Sequence, residues 1–153
     1  MTSRRKVFEI LLGMTMLTIG CVIYLLFRSK NLNIYQWCVA LGLSDTVDYY
    51  RHMTALWDVP DFIRFCIPDG LYCAAYLLLM DAIWYKDKRI IKYFILSLVP
   101  FITICSEILQ YFGLVKGTYD ELDLISYIIP PLTYIGIVFI NKIMFNNLKF
   151  KVL

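Results

Sequence analysis

The residue in this chain with the most chemistry to offer is Glu107, a carboxylate set inside an otherwise apolar run. A charged side chain at the centre of a bilayer costs at least about 2.5–3.5 kcal/mol, and less near the edge, so an acid in such a place needs a reason. Gln110 follows three residues later and Thr103 precedes by one turn, so on a helix all three fall on one face. That stripe should look into a bundle rather than at lipid. It suits a general acid or base, or a ligand-binding carboxylate. Glue between helices, through tyrosines or Arg51, is the competing reading.

A second group lies in Lys116-Gly117-Thr118-Tyr119-Asp120-Glu121-Leu122-Asp123. Asp120 and Asp123, three apart, can grip a divalent cation or a cationic headgroup. Thr118 and Glu121 have capping-box spacing, and acids favour a helix start, which gives Asp120 and Glu121 a purely structural role. Asp123 shares a face with Tyr127, Pro130 and Tyr134. Asp69 follows Pro68 and precedes Gly70, and its face continues through Tyr72, Cys73 and Tyr76; a helix cap is its simplest role. The candidate ligand-binding set is therefore Asp69, Tyr76, Glu107, Gln110, Asp120, Asp123 and Tyr127.

The elements that must position these groups follow from composition. Of 153 residues, 60% are apolar and 18% are charged. A soluble domain carries roughly 45–50% and about 25%. Disorder, coiled coil and disulfide scaffold are excluded, and a soluble globule would have to expose most of its Ile, Leu and Phe. Four apolar runs stand out: Val7–Phe27, Asp69–Tyr85, Ile90–Phe112 and Leu122–Ile140. Each meets the roughly 17–25 residues that a spanning helix needs. The first follows Arg4-Arg5-Lys6 but runs on past Cys21, too long for a signal core, and reads as a retained helix. The expectation is an all-α, integral membrane four-helix bundle, one domain over 1–153.

Charge placement gives an orientation. Arg4, Arg5, Lys6, Lys86, Lys88, Arg89, Lys92, Lys142, Lys149 and Lys151 fall on one side; Arg28, Lys30, Arg51, Arg64 and Lys116 fall on the other, over longer loops. Both termini should then be cytoplasmic, with 28–68 and 113–121 outside. Asp69, Glu107, Gln110, Asp120 and Asp123 converge at the outer edge. Within the outer segment 31–68, Ile34–Leu43 and Thr46–Trp57 suggest two short interfacial helices, with Ser44 and Asp45 at a helix start.

The remaining features are mostly structural. Pro130-Pro131 frees the carbonyls of Ser126 and Tyr127, and Pro100 that of Leu96, giving either a bent packing helix or a kink that opens a cavity. Asp81 should reach Lys86 or Arg89. Gly13 and Gly20 suit a close-packing stripe. Cys38 and Cys66 could pair if their loop faces an oxidising side. No Cys/His spacing of zinc type appears, His52 is the only histidine, and no metal, cofactor or nucleic acid is expected.

Ser106-Glu107-Ile108-Leu109-Gln110-Tyr111-Phe112, followed by Gly117-Thr118 and Asp120-Glu121-Leu122-Asp123, resembles the VanZ-like family of small polytopic bacterial membrane proteins. That family shows Glu-x-x-Gln-x-Phe near the outer end of a span. Asp69-Gly70 with Tyr76 is similar to its second-span motif, although Gly70 replaces the usual Lys, no His follows, and Lys116 stands where Arg is common. The residues around Tyr127 and Pro130 replace the usual Asn and Gly of the last span. The likeness covers about 70 residues, from Asp69 to about Ile137. It implies a bacterial envelope protein in the cytoplasmic membrane, with relatives linked to lipoglycopeptide resistance, and it assigns no reaction. The expected function is an outward-facing polar pocket for an envelope lipid, a cell-wall precursor or a lipophilic antibiotic, with Glu107 and Gln110 as floor and Asp69, Asp120 and Asp123 as rim. The alternatives are a non-catalytic scaffold docking a membrane protein partner through Asn31–Trp57, and a cation-assisted hydrolase or transferase.

Overall fold

The computed structural model describes residues 2–87 and 89–150. Among these residues six helices occur in order: α1 (Thr2–Phe27), α2 (Asn33–Ala40), α3 (Ser44–Thr54), α4 (Asp61–Ile83), α5 (Ile90–Tyr111) and α6 (Glu121–Phe150). No strand occurs among the described residues. The architecture is an all-α four-helix bundle with two short helices in its first long connection. Four stretches are long and apolar enough to cross a membrane: Arg4–Phe27, Asp61–Ile83, Ile90–Tyr111 and Glu121–Ile140. The chain thus has the build of a multi-pass membrane protein.

The second span corrects the sequence reading. It begins at Asp61, eight residues before the expected Asp69, and carries Pro68 inside it. Proline removes one helical hydrogen bond, to the carbonyl of Arg64, but does not stop a helix whose other groups are satisfied. Asp69 is therefore more than two turns inside α4 and does not cap it.

α4 is the hub. It packs most extensively on α1, next on α6 and less on α5, which in turn packs on α6. The buried side chains of α4 are mostly small, Cys66, Cys73, Ala75 and Ala82, beside Pro68, Leu77 and Asp81. Small residues let helix backbones approach where lipid offers no hydrophobic drive for association. Gly13 sits against Leu79 and the Ala75 carbonyl, and Gly20 against the backbone of Pro68. The expected close-packing stripe is therefore the α1–α4 seam. Gly70 does the same for α6, where an added Cβ would lie 3.2 Å from the Ser126 carbonyl oxygen. Cys73 Sγ lies 3.8 Å from the Tyr127 carbonyl. These are the two carbonyls that Pro130 and Pro131 leave free, so α4 covers the break and α6 runs on unbroken.

The outward faces are apolar: Phe8, Leu11, Phe94, Phe101, Ile129, Leu132 and Phe139 are all exposed, while Glu9, Asp81 and Glu107 are buried. This inverted distribution suits a hydrocarbon solvent.

The near end of the bundle, where α1 begins, is tied by charge. Asp81, 3% exposed, meets Lys92 Nζ at 2.5 Å and Arg5 Nη2 at 3.4 Å, and Arg5 also meets Glu9 at 2.6 Å. Asp81 thus bypasses the expected Lys86 and Arg89. Arg89 instead pairs with Asp87 at 2.6 Å and holds that carboxyl down at about 2.

At the far end α2 and α3 form a hairpin. Tyr35 donates to Asp48 at 3.0 Å, and Lys30 meets Asp48 at 2.7 Å, an ion pair that lowers the Asp48 pKa. Arg51 donates to the carbonyls of Leu25 and Arg28, the latter at 2.8 Å. It thereby satisfies groups that the C-terminus of α1 leaves open, and so fixes α3 to α1. It is not a partner of Glu107.

Candidate functional site

Antiparallel helices bring the end of α1, the first half of α4, the end of α5 and the start of α6 to the far end of the bundle. In α4, Cys66, Asp69, Gly70 and Cys73 have i, i+3, i+4 and i+7 spacing and share one face. In α6, Asp123 and Tyr127 are one turn apart. The α5–α6 loop is fixed at its start by Gly113, whose φ of 69° allows the paired bonds Gly113 N–H to Gln110 O and Leu114 N–H to Leu109 O, both 2.9 Å. α6 starts at a cap supplied by Asp120, whose Oδ1 accepts from Leu122 N–H at 2.8 Å. The Thr118–Glu121 capping box does not form among the described hydrogen bonds; Asp120 takes that role.

Asp69 is mostly buried. Its Oδ2 accepts from Arg28 Nη2 at 3.2 Å, and the Tyr127 side chain lies beside it. Arg28 also donates to the Phe65 carbonyl at 3.0 Å and is flanked by the rings of Tyr24 and Phe65, at 4.9 and 4.8 Å. Such stacking favours a planar guanidinium over an ammonium.

Glu107 is 7% exposed, and its Oε2 is buried without a hydrogen-bond partner. The side chains of Asp120 and Asp123 lie near it. Asp123 Oδ1 is likewise buried without a partner. Cys66 Sγ and one carboxylate oxygen each from Asp120 and Asp123 lie within 4.8 Å of one another. Gln110 donates to Ser106 Oγ at 3.4 Å, and its amide packs so closely on Gly117 that a Cβ there would lie 2.6 Å away. Gln110 therefore supports the loop rather than the acid cluster.

Of the seven sequence candidates, Asp69, Glu107, Asp120, Asp123 and Tyr127 are brought to one region. Gln110 borders it. Tyr76 does not belong: its hydroxyl donates to the Ile95 carbonyl, twelve residues before Glu107 and so about 18 Å away along α5. Glu107 is enclosed within the cluster. A cavity of about 430 Å³ opens between α1, α2 and α4, lined by Leu17, Gly20, Tyr24, Leu32, Trp37 and Tyr72, with Asp69 as its acid group.

Two contributors escaped sequence reading. Arg28 counted only as loop charge. Cys66 counted only as half of a disulfide with Cys38, yet both thiols are free and Cys66 is 1% exposed. Extending the α4 face upstream through Pro68 would have placed Cys66 one turn from Asp69. Comparison with protein-family models, curated proteins and solved structures finds no match.

Proposed function

We propose that this protein binds, or modifies, a membrane amphiphile at its far end, the tail lying in the α1–α2–α4 cavity and the polar head reaching Asp69. One observation carries this reading: Asp69 belongs both to an apolar cavity and to the buried polar cluster. Ligand sites are typically apolar clefts of roughly 300–1,000 Å³ with a few placed polar groups. The side chain of Asp69 keeps 19% of its exposure, so it can still accept from a headgroup donor.

The distribution of Lys and Arg supports placing this end on the outer face of a cytoplasmic membrane, with both termini inside. The likeness of Glu107-x-x-Gln110 and its surroundings to VanZ-like proteins supports an envelope lipid, a cell-wall precursor or a lipophilic glycopeptide as the amphiphile, and a resistance role with it.

The test uses the full chain in nanodiscs with a phosphatidylethanolamine carrying a photoactivatable acyl chain. Crosslinks should fall on Tyr24, Trp37 and Tyr72 and be lost in Leu17→Trp, which fills the cavity from its wall, and should weaken in Asp69→Asn. Crosslinks spread evenly over the lipid-facing surface and unaffected by Leu17→Trp would defeat the proposal.

A second reading, a scaffold, rests on the exposed apolar side chains of α2, α3 and the following turn, including Trp37, Leu41, Tyr50, Met53 and Leu56. An interfacial helix pair lying on lipid requires the same face.

A further inference from the structure

The far end holds more negative charge than its cations answer. Arg28 engages Asp69, whereas Glu107, Asp120 and Asp123 form no ion pair among the described residues. Of these three, Glu107 is buried, Asp123 half-buried and Asp120 exposed, and a buried charge is ordinarily paired or bound to a metal. Beside these acids stands a thiol, Cys66, that is 1% exposed. Its Sγ and the oxygens of Asp120 and Asp123 are mutually within 4.8 Å. Glu107 is more than nine-tenths buried, turns an unpartnered Oε2 inward, and neighbours both aspartates. The unpartnered Oδ1 of Asp123 is a second oxygen with nothing to accept from.

We infer that Cys66, Asp120 and Asp123 form a divalent-cation site of the zinc class, with the buried carboxylate of Glu107 beside its two aspartates. The ligand set decides the class. One sulfur with carboxylate oxygens suits Zn²⁺ or Co²⁺, while Mg²⁺ and Ca²⁺ take oxygen alone. Metal–oxygen bonds of about 2.0–2.2 Å and a metal–sulfur bond of about 2.3 Å place tetrahedral ligands roughly 3.3–3.8 Å apart. The trio, mutually within 4.8 Å, is therefore at most about 1.5 Å wider than such a shell, within reach of small side-chain shifts of Cys66 and Asp123. Asp120 is held for this task, because its Oδ1 is fixed by Leu122 N–H. Binding replaces the thiol proton with the metal, so one proton leaves Cys66 as the cation enters. No zinc-type spacing is visible in the sequence because Cys66, on α4, stands more than fifty residues before Asp120 and Asp123.

The test is direct metal binding by the full chain, purified in detergent, with Co²⁺ as probe. The expected result is one Co²⁺ per chain with a near-ultraviolet thiolate-to-cobalt absorption that Zn²⁺ displaces. Cys66→Ser should abolish that absorption, Asp123→Asn should weaken affinity by about 10–100-fold, and Cys38→Ser should leave both unchanged. Zn²⁺ should also raise the thermal midpoint of the unmodified chain by clearly more than that of Asp123→Asn, a readout that holds if Cys66→Ser fails to fold. Absence of Co²⁺ uptake, an absorption that survives Cys66→Ser, or equal stabilisation of the chain and Asp123→Asn would each overturn the site. Metal binding is read without any lipid, so its failure is distinct from a failure of the amphiphile reading.

Discussion

Arg28 Nη2 meets Asp69 Oδ2 at 3.2 Å, across the seam between α1 and α4, and both side chains keep only about a fifth of their exposure. The pair holds the cavity's acid group in place. Removing one partner leaves the other half-buried and unanswered, so Arg28→Ala should destabilise the fold by about 2–3 kcal/mol. The double variant Arg28→Ala with Asp69→Asn should cost less than the two single changes together. Unfolding in mixed detergent micelles measures all three; strict additivity would show that the contact contributes nothing.

Lys92 and Arg5 converge on Asp81 at the other end. Lys92→Met leaves a carboxylate that is 3% exposed with only the longer Arg5 contact, and should cost up to about 3–5 kcal/mol. Adding Asp81→Asn should recover much of that loss in the same assay.

Glycine substitutions should grade by what a new methyl meets. Gly70→Ala drives Cβ to 3.2 Å from a backbone oxygen of α6 and should cost about 1–3 kcal/mol. Gly13→Ala drives Cβ to 2.9 Å from Leu79 Cγ and 3.3 Å from the Ala75 carbonyl oxygen and should cost at least as much. Gly136 has nothing within 4 Å, and Gly136→Ala should be neutral or stabilising by up to about 1 kcal/mol. Thermal midpoints of the three variants check the order.

The Lys30–Asp48 pair predicts an acid response of the α2–α3 hairpin. Asp48 lies below its ordinary 3.8 because Lys30 favours its charged form. A lowered carboxyl contributes stability above its unfolded value and loses it as pH falls through the lower folded value. Trp37 fluorescence should therefore change on acidification below about pH 3.8, and Asp48→Asn should show the acid-like signal already at neutral pH. An identical titration in both chains would rule this out.

Thiol chemistry tests topology. A membrane-impermeant maleimide should label Cys38, which is partly exposed on α2, and should leave Cys66 untouched until the chain is unfolded. Labelling of Cys38 from the cytoplasmic side would reverse the proposed orientation.

The helices were legible because hydropathy alone separates lipid-facing segments from loops. α1, α5 and α6 start or end close to where the apolar runs do. α4 was truncated because Pro68 resembles a boundary, whereas small residues on both neighbours let the helix continue through it. The acid cluster was legible because ionisable residues in spans are few. What stayed hidden depends on pairing between distant elements: Arg28 with Asp69, Asp81 with Lys92, and Cys66 with Asp123 each join different helices. Helical periodicity says which face a residue occupies but not which neighbour that face meets. Tyr76 shows the same limit, sharing a face with Asp69 yet lying too far along the axis to take part.

Arg51 grips main-chain oxygens at the exit of α1 rather than side chains. The two ends of this tether are therefore unequal under mutation. Replacing Leu25 or Arg28 leaves an acceptor behind, whatever the substituent, while a change at position 51 removes every donor at once. Sequence drift along the exit of α1 is thus tolerated by the clasp, and its persistence through such drift depends on a single codon.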